Sequence, residues 1–191
     1  MQHEKSLATQ DVICEKALEL FRIYGYEKTT ISDICQSANL TSGAIYHHFK
    51  SKEGILFAIV ERISGSLPLE EISNKTVAQP SKGICQVLHT WTNAYEPLGV
   101  DFSKAYLKSF IKDPPLGNRA YSANLIEYIK AAQEFGSIIK DLPAKEIAEY
   151  FFVVGYGVLY KWCQREGSYS LAEEMDKWIA LATKAVVCKE I

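Results

Sequence analysis

No apolar run in this chain approaches the roughly 20 residues that a membrane helix needs, and its first twenty residues, MQHEKSLATQDVICEKALEL, carry acids instead of an apolar signal core. A membrane partner is therefore not expected, and the expected location is the cytoplasm. Cysteine supplies no framework. Cys14, Cys35, Cys85, Cys163 and Cys188 are odd in number, widely scattered and form no C-x-x-C pair, so neither a disulfide scaffold nor a zinc site is indicated. They read as buried thiols, with a redox-sensing thiol as the lesser alternative. A basic excess is also missing. The formal net charge is −2, which argues against a broadly basic nucleic-acid coat while leaving room for a small basic patch. No β-alternating stretch of convincing length, internal repeat or phosphate-cradling Gly loop occurs.

What remains is helical. Of the 191 residues, 48% are apolar and 23% charged, a composition that suits one ordinary globular domain or two small ones. Ile13, Ala17, Leu20, Phe21 and Tyr24 step by four, three, one and three, making one face of a helix from about Thr9 to Tyr24 that Gly25 ends. Thr30-Ile31-Ser32-Asp33 has the form of a capping box. It opens a short helix with Ile31, Ile34, Cys35 and Ala38 inward, and Asn39 suits a left-handed stop. Thr41 or Ser42 can cap a third helix that finishes near Phe49. Ser51 is the expected cap of a fourth, with Ile55, Leu56, Ile59, Val60 and Ile63 as its buried stripe. Leu67-Pro68 is a plausible domain boundary, and Ser73 to Ser81 reads as a connection. Further helices are expected at about 82–96, 102–112, 119–139, 144–166 and 170–188, punctuated by Pro97, Pro114-Pro115, Pro143 and Gly167.

The third helix carries the chemistry. Ile45 and Phe49, four apart, face inward with Ala44, while Ser42, Gly43, Tyr46 and His47 fall on the other side. A rod of this kind is about 12 Å long, comparable to the roughly 12 Å major groove of DNA. Gly43 costs such a helix about 0.8–1 kcal/mol relative to Ala. Close approach of the backbone to something outside would explain it, and so would tight packing on the second helix. From Asn39 to Lys52 there are two lysines, two histidines and no acid, whereas residues 1 to 55 together hold six Lys/Arg and seven Asp/Glu. The electrostatic signal is confined to that patch. Thr30, Ser51 and Lys52 stand at helix starts, where free N–H groups attract an anion.

The segment TISDICQSANLTSGAIYHHFKSKEGIL, with the preceding ALELFRIYGYEKT, resembles the amino-terminal helix-turn-helix domain of TetR-type (TetR/AcrR) transcriptional regulators. The likeness covers roughly residues 9 to 60 and rests on A-x-x-L-F-x-x-x-G-Y, T-x-x-x-I and G-x-I-Y-x-H-F-x-S-K in combination. It implies an all-α chain. Residues 1–53 would form a three-helix DNA-binding domain, with its motif at about 30–49, joined through the fourth helix to a larger ligand-binding and dimerisation domain at 54–191. It also implies that Thr30, Tyr46 and Lys52 meet the phosphate backbone, and that Thr41, Ser42, Gly43 and His47 lie along the DNA-facing side. That face has no Arg, Gln or Asn, so hydroxyl contacts, methyl contacts and DNA shape must carry more of the sequence reading.

Other features are weighed against plainer readings. Tyr46 could pack over the first helix instead of meeting phosphate, and His48 reads as filler between the third and fourth helices. His47 and His48 diverge by about 100° on a helix and make a poor chelating pair, so no metal and no cofactor are expected. Glu70-Glu71 and Glu173-Glu174 read as solvated surface. From Tyr150 to Tyr160, YFFVVGYGVLY, eleven residues pass without a charge, more apolar surface than one core requires. A homodimer through Phe151, Val154, Gly155, Val158, Trp162, Met175, Trp178, Ile179 and Ala182 is expected, large enough to be obligate. It would place two recognition helices about one DNA turn apart on a palindromic double-stranded operator. The aromatics between the two ends read as core or, by the resemblance, as the lining of an effector cavity. His89, Trp91, Tyr95, Tyr106, Phe110, Tyr121 and Tyr128 are its candidates, for a small molecule that is partly apolar or aromatic. The function expected is that of a repressor released by its effector and not of an enzyme. The alternatives are a sensor acting through protein contacts and a catalyst in the carboxy-terminal half.

Overall fold

In the computed structural model, residues 2–65, 77–112 and 119–188 are described. Among them nine α-helices follow one another: α1 (Gln2–Tyr24), α2 (Ile31–Ala38), α3 (Ser42–His48), α4 (Lys52–Gly65), α5 (Pro80–Tyr95), α6 (Gly99–Lys112), α7 (Arg119–Phe135), α8 (Ala144–Gln164) and α9 (Leu171–Thr183). One turn of 3-10 helix, Glu96–Leu98, joins α5 to α6. Leu67-Pro68 and residues 73–76 of the expected connection lie outside the described residues, and Pro80 and Ser81 already belong to α5.

The amino-terminal helices form where their caps and stripes direct. Ile13, Ala17 and Phe21 of α1, Ile34 and Cys35 of α2, Ile45 and Phe49 at α3, and Ile55, Leu56, Ile59 and Val60 of α4 are all buried. Helix α1 begins at Gln2, seven residues before the expected Thr9. Tyr24, expected on the inner face, is 59% exposed. Gly25 adopts φ of 84°, and that left-handed turn brings Tyr26 into the inward place instead, its ring 5.0 Å from Phe21. Phe102 of α6 lies 6.1 Å from Phe21 and 6.3 Å from Tyr26. This aromatic knot fastens the α1–α2 loop to the carboxy-terminal helices.

Helix α4 is the joint of the molecule, touching α1, α5, α6 and α7. A boundary at residue 53 thus cuts the first turn of a continuous helix, and buried residues of both halves form one cluster. Two helices end earlier than expected for a shared reason. Helix α7 stops at Phe135, before Gly136 with φ of 91°, and α9 stops at Thr183. The segments that follow pair with each other, through Ile139 N to Val186 O at 2.9 Å and Cys188 N to Ser137 O at 3.1 Å.

The expected dimer residues need correction. Phe151, Gly155, Val158 and Trp162 of α8 and Met175, Ile179 and Ala182 of α9 are buried inside the chain, where α8 and α9 pack on each other and on α5, α6 and α7. Only Val154 and Trp178 of that set are half-buried. An eleven-residue apolar stretch does not reveal which stripe turns inward. The outward stripe is Val153 (67% exposed), Tyr160 (57%) and, on α9, Leu181 (56%), with Gly157 open between them.

Candidate nucleic-acid interface

Each element of the helix-turn-helix is held by local hydrogen bonds that the sequence supplies. Thr30 caps α2, its hydroxyl accepting from Asp33 N at 3.2 Å, while the Asp33 carboxylate accepts from Thr30 N at 2.8 Å and from the Thr30 hydroxyl at 2.7 Å. Those bonds stabilise the ionised form and hold the Asp33 carboxyl below its ordinary range. At the other end Asn39 adopts φ of 54° and its N–H donates to the carbonyls of Cys35 and Gln36, a left-handed stop. Leu40 N donates to Cys35 O at 2.9 Å. The chain is thereby turned into α3, which Thr41 caps by accepting from Ala44 N at 3.2 Å.

Helix α3 then presents two unlike sides. Ile45 is fully buried and Phe49 nearly so. Thr41, Ser42, Gly43, Tyr46 and His47 are exposed, as is Thr30 at the start of α2. Tyr46 stands 53% exposed instead of packing over α1. Ser42 Oγ lies 3.6 Å from Cys35 Sγ, a weak contact that steadies the side chain from behind. Gly43 resolves one of the two readings left open above. A methyl group there would meet nothing closer than Thr41 Oγ1 at 3.9 Å, so packing on α2 does not require glycine. His47 and His48 sit edge to face, 5.2 Å apart, and no metal-holding group of three ligands occurs among the described residues.

Lys52 has a role that local sequence did not reveal. Its ammonium donates to the carbonyls of Tyr26 at 2.9 Å and Thr29 at 3.0 Å, reaches Glu27 O at 3.5 Å, and lies 4.2 Å above the Tyr26 ring. It clamps the loop that precedes α2. Within that loop the buried Thr29 hydroxyl donates to Gly25 O at 2.9 Å. Lys50, directly after α3, is exposed and is a nearby cation that the motif-based reading passed over. Ser51 caps α4 by accepting from Gly54 N at 3.2 Å.

The arrangement, an exposed polar helix packed on α1 and α2, coincides with a match of residues 13–59 to the family described as bacterial regulatory proteins, tetR family. Residues 13–59 thus match the amino-terminal domain of the TetR family. An HTH-type transcriptional repressor of Mycobacterium tuberculosis is 21% identical over 171 residues, covering 86% of this chain and 87% of that protein. The A-factor receptor protein of Streptomyces griseus is 37% identical over 67 residues, 35% of this chain but only 24% of the receptor. Among solved structures, Thermus thermophilus FadR, a TetR-family transcriptional repressor in complex with lauroyl-CoA, superposes with a TM-score of 0.73 at 20% identity, covering 95% of this chain and 97% of that one.

The effector candidates divide. The side chains of Trp91, Phe110 and Tyr121 lie outside the described residues. Tyr95, Tyr106 and Tyr128 are almost fully buried. The Tyr106 hydroxyl lies beside those of Tyr95 and Tyr156, and burial pushes its pKa up. Tyr156, on the uncharged α8 stretch, completes this polar cluster, which no local spacing marks. Tyr128 packs so closely on α5 that a methyl group at Gly83 would collide with its ring and hydroxyl. His89 is corrected. It pairs with Asp176, and with the two side chains 35% and 48% exposed it bridges α5 and α9 near the surface. Burial raises the thiol pKa of Cys14 and Cys85 to about 12, which keeps both protonated at neutral pH and unsuited to redox sensing. No described helix is long and apolar enough to cross a membrane.

Proposed function

We propose that this chain is a repressor that reads a palindromic operator as a homodimer and releases it when a small effector binds among α5 to α8. The observation that carries the reading is the exposed face of α3, Thr41, Ser42, Gly43, Tyr46 and His47, backed by Ile45 and Phe49 in the core. Thr30, Tyr46 and Lys50 would set register on phosphates, and Ser42 and its neighbours would meet base edges. Lys52 contributes from behind, by fixing the loop from which Thr30 projects.

The partner copy would pack on Val153, Gly157, Tyr160, Trp178 and Leu181, the outward stripe of α8 and α9. Residues 1–53 would be the reading head, and 54–191 the body that binds effector and partner. The effector's polar end suits the Tyr95–Tyr106–Tyr156 hydroxyls, and its apolar part the aromatic surroundings. A shift of α6 reaches the head through Phe102 on Phe21 and Tyr26, and from Tyr26 to Lys52. Reversing a 99:1 preference for the DNA-competent form requires an effector that favours the other form by about 10⁴, or 5.5 kcal/mol. No catalytic step is assigned to the chain.

The test is Ser42→Ala against a cognate duplex and random duplexes. It should change preference among operators and leave random-sequence affinity near wild type. Equal losses on both would reject Ser42 as a reader.

A further inference from the structure

A cavity lies where the proposed reading head meets the body, with Phe57 between it and Tyr106. This open cavity has a volume of about 680 Å³ and is walled by the α1–α2 loop (Tyr26, Glu27), the end of α3 (His48, Phe49), the first turn of α4, and Ala105, Lys108 and Ser109 of α6. That volume falls in the range of small-molecule sites, which favour domain junctions. Its floor is apolar, from Phe49, Phe57 and Ala105, and its rim holds Lys50, Lys52 and Lys108 against Glu27 and Glu53. Lys52 is engaged by the loop carbonyls. Lys50 and Lys108 are exposed and have no partner among the described residues. The positive end of the α4 dipole opens on the same space. The wall also contains Tyr26, only 4% exposed, whose hydroxyl has no hydrogen-bond partner among the described residues; such groups are uncommon in folded proteins.

We infer that this junction cavity is a second ligand site, which takes a small amphiphilic anion: one carboxylate or comparable group between Lys50 and Lys108, and a ring or short chain on the Phe49–Phe57 floor. Lys50 belongs to the head and Lys108 to the body, so the ligand ties the end of the recognition helix to α6. It would thereby restrain the movement by which the interior effector acts, which rests on the function proposed above. Binding itself does not.

The test is a titration of the full-length protein, without DNA, by 2-naphthoate and its uncharged counterpart 2-naphthamide, followed by backbone amide shifts. The naphthoate should shift Gly54 and Ser109 saturably, with affinity at least tenfold above the amide. Lys108→Glu should abolish those shifts with helical content unchanged, and Ala105→Trp should block them by filling the cavity. Equal binding of acid and amide, shifts confined to the Tyr95–Tyr156 region, or an unaltered titration in Lys108→Glu would each overturn the site. Failure of this kind leaves operator reading untouched, since a chain that ignores naphthoate can still bind duplex.

Discussion

Gly43→Ala separates the needs of folding from those of recognition. Gly43 is the second residue of α3, and an added methyl group finds its nearest atom 3.9 Å away, at Thr41 Oγ1, an ordinary van der Waals contact. Removing glycine's backbone freedom from a helix is worth about 0.5–1 kcal/mol. At roughly 2–4 °C per kcal/mol for a chain of this size, the melting temperature should rise by about 1–4 °C. Both proteins must be compared at one protomer concentration, because dimer stability depends on it. On DNA the same methyl group intrudes between the α3 backbone and the duplex. Overpacking of a close interface costs about 1–3 kcal/mol per site, and a dimer carries two copies, so operator affinity should fall by about 30-fold or more. Thermal unfolding and an operator titration at fixed salt measure the two effects. A variant that melts lower, or one that melts higher and binds normally, would refute the claim that Gly43 is kept for what lies outside the protein.

Other expectations follow from the same geometry. Lys52→Met removes the loop clamp, and hydrogen bonds from a charged donor are worth about 1.5–3 kcal/mol; melting should fall by about 3–12 °C while the salt slope of operator binding stays constant. A slope reduced by about two units per dimer, with unchanged melting, would instead make Lys52 a direct phosphate ligand. Val153→Glu combined with Leu181→Glu should yield a folded monomer in sedimentation, whereas a retained dimer would place the interface elsewhere. Hydrogen bonds from Lys161 and Trp178 lower the Glu174 pKa to about 2. A depressed carboxylate contributes stability that is present above the ordinary glutamate pKa of about 4.3 and lost as pH falls toward about 2. Glu174→Gln should flatten stability against pH in that window, and an identical acid limb would contradict the assignment.

The parts of this molecule legible in its sequence are those decided within a few residues. Thr30 with Asp33, Asn39, Thr41 and Ser51 fix their helix ends through bonds that span three or four positions, and the Ile45–Phe49 spacing already separates the inner from the outer side of α3. What escaped detection depends on residues far apart in the chain. Lys52 meets carbonyls 23 to 26 positions earlier, and Val186 pairs with Ile139 across the fold. Tyr156 joins Tyr106 from another helix. The Tyr150–Tyr160 stretch is apolar on every side, so no periodicity distinguishes the buried Phe151 and Val158 from the exposed Val153 and Tyr160. Gly136 was a stop signal in plain view, since its positive φ ends α7.

The most direct test of the account is selection by the purified full-length protein from a random duplex pool at low ionic strength. The account predicts an enriched palindrome with half-sites about 34–36 Å apart, or 10–10.5 base pairs centre to centre, and loss of that enrichment in Gly43→Ala. Recovery of sequences no different from the starting pool, or of a single unpaired half-site, would contradict a dimer that reads DNA through α3.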